Sequence, residues 1–112
     1  MSKDHPVTPD GRYFVAKGKL WRRTDPSLDE ATRRRHVKAL MQARRAVGRA
    51  GTEAEEREAR DRVDAAKRAL GERGPVWWDD GAPDETLKAP RNSSYADWWA
   101  GLPDEERAAG DA

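Results

Sequence analysis

The sequence contains no cysteine and no isoleucine, one phenylalanine and two histidines. Without Cys there is neither a disulfide framework nor a thiolate zinc site, and His5 and His36 alone cannot build an imidazole-rich metal centre. No stretch approaches the roughly 20 apolar residues of a membrane-spanning helix, and the first residues lack the apolar run of a signal peptide. A soluble, cytoplasmic protein is therefore expected. Six Val, six Leu and one Phe among 112 residues is an aliphatic content low enough to suggest disorder on its own. Five Trp argue the other way. A buried aromatic removes roughly 150–250 Å² from water, so indoles can replace missing aliphatics in a small core.

Charge is abundant, at 38% of residues, and almost balanced at a net +1. It is unevenly placed. Residues 1–50 hold 13 basic and 5 acidic side chains, whereas 51–112 hold 9 basic and 16 acidic, so the halves carry +8 and −7. Either the halves neutralise each other on folding, or the basic half is the footprint of a polyanion.

The chain has room for one domain, expected over 1–102, with a frayed tail at 103–112. Pro9-Asp10-Gly11 is a turn signal, and the aromatic and β-branched run after it, turned back at Lys17-Gly18, predicts a β-hairpin over 12–23. Ser27 with Glu30, and Thr52 with Glu55, have capping-box spacing. They predict helices over 28–47 and 53–70, the second stopped by Gly71 at its C′ position. Val37, Leu40, Ala43 and Val47 share one face of the first helix, and Ala59, Val63, Ala66 and Leu70 one face of the second. The short break at Gly48 to Gly51 makes the two an antiparallel αα-hairpin. Over 75–100 the chain becomes Trp-rich: a short strand at Val76 to Trp78, an acidic turn at 79–85, and a helical turn carrying Tyr95, Trp98 and Trp99 with a cap among Asn92, Ser93 and Ser94. The fold class is thus α+β, a central αα-hairpin packed with the N-terminal β-hairpin and the Trp-rich segment.

Gly-Glu-Arg-Gly-Pro-Val-Trp-Trp-Asp-Asp-Gly-Ala-Pro-Asp at 71–84, followed by Arg91-Asn92-Ser93 and Tyr95-Ala96-Asp97-Trp98, resembles a family of small uncharacterised bacterial proteins. The similarity takes in the Pro9 to Tyr13 turn and the helical pair. It implies an intact bacterial domain rather than a fragment, and it brings no activity and no catalytic residue.

In the antiparallel hairpin Arg44, Arg45 and Arg49 should meet Glu53, Glu55, Glu56 and Glu58 at the bend. At the open end Arg33, Arg34, Arg35 and Lys38 should come near Lys67, Arg68 and Arg73, joined by Arg22 and Arg23 from the β-hairpin. Guanidinium forks match phosphate oxygens, so this cluster is the candidate nucleic-acid site. The bland alternative is that Asp79, Asp80, Asp84 and Glu85 fold over it. Tyr13, Phe14 and Trp21, interleaved with bases, could stack nucleobases, although strand alternation must send one side of the hairpin into the core. Trp77, Trp78, Tyr95, Trp98 and Trp99 are either the missing core or a protein-binding face, since Trp, Tyr and Arg dominate interface hot spots. The acidic turn lacks the ligand spacing of a calcium loop. His36 reads as a hydrogen-bonded core residue, and Ser27, Ser93 and Ser94 as caps. No catalytic group, cofactor, metal ligand or small-molecule substrate is expected. The sequence favours a non-enzymatic adaptor that contacts a protein partner or a second copy of itself; a nucleic-acid-binding module is the alternative.

Overall fold

In the computed structural model, which describes residues 4–112, the chain divides into two units. One takes the chain up to Arg23 together with Trp78–Ala112, the other Thr24–Trp77. The first three residues of the expected domain lie outside the described ones.

The first unit is built on strands β1 (Tyr13–Ala16) and β2 (Lys19–Arg22), paired antiparallel with Tyr13 opposite Arg22 and Val15 opposite Leu20. Lys17 and Gly18 both have positive φ, 55° and 72°. That is the type I′ turn whose twist suits a two-residue hairpin loop. Alternation sends Tyr13, Val15 and Leu20 into a core that is fully shut off from solvent. Both strand edges are covered, which removes the usual liability of an exposed ladder. On one side Val15 N–H donates to Pro6 and Thr8 N–H to Tyr13, and on the other Leu20 exchanges bonds with Leu87 and Lys88. The β2 edge is therefore covered by Leu87 and Lys88. The expected strand at Val76 to Trp78 does not form, and those residues are irregular.

Helices α3 (Ala96–Ala100) and α4 (Asp104–Asp111) complete this unit, after a 3-10 turn at Pro90–Asn92. Ser93 Oγ accepts the Tyr95 N–H at 3.1 Å, so the serine closes the turn that leads into α3. The frayed tail expected at 103–112 is corrected: residues 104–111 are helical, Ala109 and Gly110 are buried, and the carbonyls of Gly110 and Ala112 accept the N–H groups of Gly18 and Lys17.

The second unit is the αα-hairpin, α1 (Glu30–Arg49) and α2 (Glu53–Ala69). Helix α1 starts two residues later than expected because Asp29, not Ser27, caps it, accepting the Thr32 N–H at 2.7 Å. Ser27 instead donates to Asp25 in the turn before the helix. Thr52 caps α2 as its spacing predicts, accepting the Glu55 N–H at 3.1 Å. At the far end Glu72 N–H bonds the Lys67 carbonyl and Gly71 N–H that of Arg68, the paired bonds of a Schellman motif. Gly71 has φ +77°, and a Cβ there would lie 2.8 Å from the Asp25 Cβ, so glycine is required twice over. The seam is narrow, with Leu40, Ala66 and Leu70 buried and Leu28, Val37 and Val63 packed on them.

Candidate nucleic-acid interface

The aromatic residues fall into both units. Trp77 belongs to the helical one, its Cδ1 3.2 Å from where a Cβ on Gly71 would sit. Trp78, Tyr95, Trp98 and Trp99 pack around Tyr13, Val15 and Leu20 in the other. Trp78 and Tyr95 each meet the Tyr13 ring edge-on at 5.6 Å, and Tyr95, Trp98 and Trp99 continue the series at 6.4 and 6.3 Å. All five candidate aromatics are partly covered, none fully exposed. Trp78 is also held by its Nε1–H on the Ala82 carbonyl and by the guanidinium of Arg12, 4.8 Å from the ring centroid. The proposed base-stacking hairpin is corrected on the same grounds. Tyr13 is buried, and Trp21 donates Nε1–H to Ala16 and is half-buried, as is Phe14.

Asp80 binds Arg12, Asp84 binds Arg22 at 3.0 Å, and the buried Glu85 accepts the N–H and hydroxyl of Ser94. The acidic turn thus finds partners within its own unit. Arg22 is correspondingly a buried, paired residue rather than an open phosphate ligand, while Arg23 is exposed and donates to the Gly11 carbonyl. Sequence reasoning missed Arg12 and Glu85 as organising groups; both act through partners 68 and 9 residues away, which no local spacing reveals.

Asp10 and Tyr95 form another tertiary polar contact that local spacing could not show, with the Tyr95 hydroxyl donating at 2.6 Å. Burial, then the adjoining Asp10 carboxylate, pushes the Tyr95 phenol well above its ordinary range. Burial acts on Asp10 in the opposite sense to its hydrogen bonds from Tyr95 and Thr8, and the bonds win, holding the carboxyl below its ordinary range. A phenol whose folded pKa is raised stabilises the fold below its unfolded value near 10 and loses that contribution as pH rises further; a depressed carboxyl loses its contribution as pH falls below about 4. Tyr95→Phe should cost about 1 kcal/mol at neutral pH, Asp10 being half open to solvent. It should also flatten the loss of stability above about pH 10. Thermal melts at neutral and alkaline pH read both, and an unchanged alkaline limb would remove Tyr95 from that role.

The remaining candidate cations belong to the helical unit. Ion pairs there run along the helices rather than across the bend: Arg33 and Arg34 with Glu30, Arg60 with Glu56, and Arg68 and Arg73 with Asp64. The matching of Arg44, Arg45 and Arg49 with Glu53, Glu55, Glu56 and Glu58 expected at the bend forms no ion pair among the described residues. Beyond Glu30, α1 carries seven basic side chains and no acidic one. Arg34, Lys38, Met41, Arg45 and Arg49 recur at helical spacing opposite the Leu40–Ala43 seam, and all are exposed. This stripe is about 22 Å long, about two thirds of a duplex turn. Among the described residues no ion pair engages Arg35, Lys38, Arg45 or Arg49. Of the expected open-end cluster, Arg33, Arg34, Arg68 and Arg73 are tied to carboxylates, and Arg35 and Lys38 are not. Arg45 and Arg49, assigned from sequence to the bend, extend the same face; the absence of acids from 31–49 was the signal for it.

His36 is partly covered and makes no hydrogen bond among the described residues, so its expected role as a bonded core histidine does not hold. No three His, Asp or Glu side chains converge among those residues. No helix among them is long and apolar enough to cross a membrane. Comparison with family models, with curated proteins and with solved structures finds no match to this chain. The functional reading therefore rests on the chemistry of the α1 face.

Proposed function

We propose that the protein is a non-enzymatic cytoplasmic binding module that engages nucleic acid through the outer face of α1. One observation carries the reading: an exposed helical stripe of cations without an intervening carboxylate. Such a stripe fits a phosphate backbone, where each neutralised phosphate releases counterions and binding weakens steeply with salt. No aromatic ring of Phe, Tyr or Trp lies on α1, so the stripe offers no stacking platform and binding should tolerate any sequence.

Fluorescence anisotropy with a labelled duplex tests this. Four phosphate contacts predict a log–log salt slope of about −3.6. Lys38→Glu with Arg45→Glu should weaken binding at least about tenfold and reduce the slope by about 2, with the helical content unchanged. No retention at low salt, or equal binding by the double variant, would end the reading.

A protein partner met through aromatic side chains is the second reading. What supports it is the partial exposure of Trp78, Tyr95, Trp98 and Trp99, with Arg12 over the Trp78 ring. It requires association that changes little with salt and is accompanied by a shift in Trp emission. The same residues already serve as the cover of the Tyr13 core, which is why nucleic acid stands first.

A further inference from the structure

Between the two helices lies a groove of about 270 Å³, lined by Arg44 and Val47 of α1, Arg60 and Val63 of α2, and Arg73 from the chain beyond α2. Each helix contributes an arginine and a valine three residues apart, so the groove is lined by both guanidinium and branched aliphatic groups. Arg73 is anchored, its Nη1 donating to Asp64 at 3.0 Å while Arg68 holds the same carboxylate at 2.8 Å. Arg60 is steadied by Glu56 at 2.9 Å. Each guanidinium has five N–H donors, so both retain donors beyond those bonds. One turn past Val63, the Lys67 ammonium is depressed by burial and then by the nearby Arg73 and Arg44. Cations are thus crowded around the groove.

We propose that this groove is a binding site for a phosphate monoester, its oxygens taken by Arg44, Arg60 and Arg73 and its organic group laid on Val47 and Val63. Several forked donors lining one groove suit a dianion better than a single carboxylate. The volume lies just below the range of ligand pockets, which limits the occupant to a compact ester. The site lies off the α1 outer stripe and does not depend on the duplex-binding reading.

Calorimetric titration of the whole protein with phenyl phosphate, in a buffer free of phosphate and sulfate, is the test. Saturable one-to-one binding is expected, at least about fivefold tighter than inorganic phosphate because the valines contribute only with the ester. Arg44→Gln and Arg73→Gln should each weaken it about tenfold or more, whereas Arg91→Gln, which removes the same charge elsewhere, should not. Lys38→Glu with Arg45→Glu should weaken duplex binding at least about tenfold and leave phenyl phosphate binding in place, which separates failure of one site from failure of the other. A strand carrying a 5′-phosphate, compared with its 5′-hydroxyl form, identifies the source: tighter binding that Arg44→Gln removes means a strand end, and no difference means a soluble ester. Absence of saturation by about 10 mM phenyl phosphate, or equal losses in Arg91→Gln and Arg44→Gln, overturns the proposal.

Discussion

Gly110→Val is expected to destabilise the β-hairpin unit by about 3 kcal/mol, at the upper end of what overpacking a core costs. A Cβ at this position would sit 2.7 Å from Trp99 Cη2, 2.9 Å from Cζ3 and 3.1 Å from Val15 Cγ1. Neither neighbour is a flexible side-chain end. The indole lies against the Tyr13–Val15–Leu20 core, and Val15 is completely buried. The alternative is to lift α4 away, which breaks the bonds that its last carbonyls accept from Lys17 and Gly18 in the hairpin turn, and that between His5 Nδ1 and the Ala109 carbonyl at 3.0 Å. Denaturant unfolding followed by Trp emission measures the loss, and cutting the chain after Pro103 should reproduce most of it. Gly48→Ala is the counterpart: nothing lies within 4 Å of a Cβ there and the position is helical, so it should gain about 0.5–1 kcal/mol. A Gly110→Val protein as stable as the parent would mean that α4 is not held on the hairpin.

The same contact explains why the tail was illegible. Helix α4 buries only Ala109 and Gly110, and a pattern of large apolar residues cannot reveal a helix that packs through its smallest ones. The one available signal was electrostatic, since Asp104, Glu105 and Glu106 follow Pro103 and favour a helix N-terminus. Features governed by neighbours in the chain were readable: the Lys17-Gly18 turn, the Thr52 cap, the Gly71 stop and both inner stripes. Ser27 failed through competition, because Asp29 stands nearer the apolar run and Asp25 claims the serine hydroxyl. Trp77 and Trp78 were expected as neighbours in one short strand. They do part company, one to each unit, but on an irregular backbone. The α1 stripe was half visible, since Arg34 and Lys38 were assigned to the hairpin mouth while Arg45 and Arg49 were assigned to the bend. The groove arginines Arg44 and Arg60 were not seen as partners at all, because only the helix pairing brings 44 beside 60 and the Asp64 bond brings in 73.

In the helical unit the corresponding large effect is expected at Leu70. Its side chain is fully buried where α2 ends, against Leu40 and Ala66, with Leu28, Val37 and Val63 around them. Leu70→Ala removes the largest fully buried group of that unit and leaves a cavity that alanine neighbours cannot fill, a loss of about 2–5 kcal/mol. Relaxation of the surroundings is restricted on the other side too, because the Leu70 carbonyl accepts the Asp25 N–H at 2.8 Å and Gly71 follows it in the Schellman turn. Domains hold roughly 0.05–0.15 kcal/mol per residue, so a two-helix unit spanning Thr24–Trp77 should hold on the order of 3–8 kcal/mol. The substitution should therefore consume most of it. Urea unfolding monitored by circular dichroism should show the midpoint falling sharply with the slope retained, while Met41→Ala, at a side chain 55% exposed on the outer face of α1, shifts stability by less than about 0.5 kcal/mol. Equal effects at the two positions would mean that the Leu40–Ala66–Leu70 seam does not hold the helices together. The basic stripe and the arginine groove would then lose the scaffold that sets their spacing.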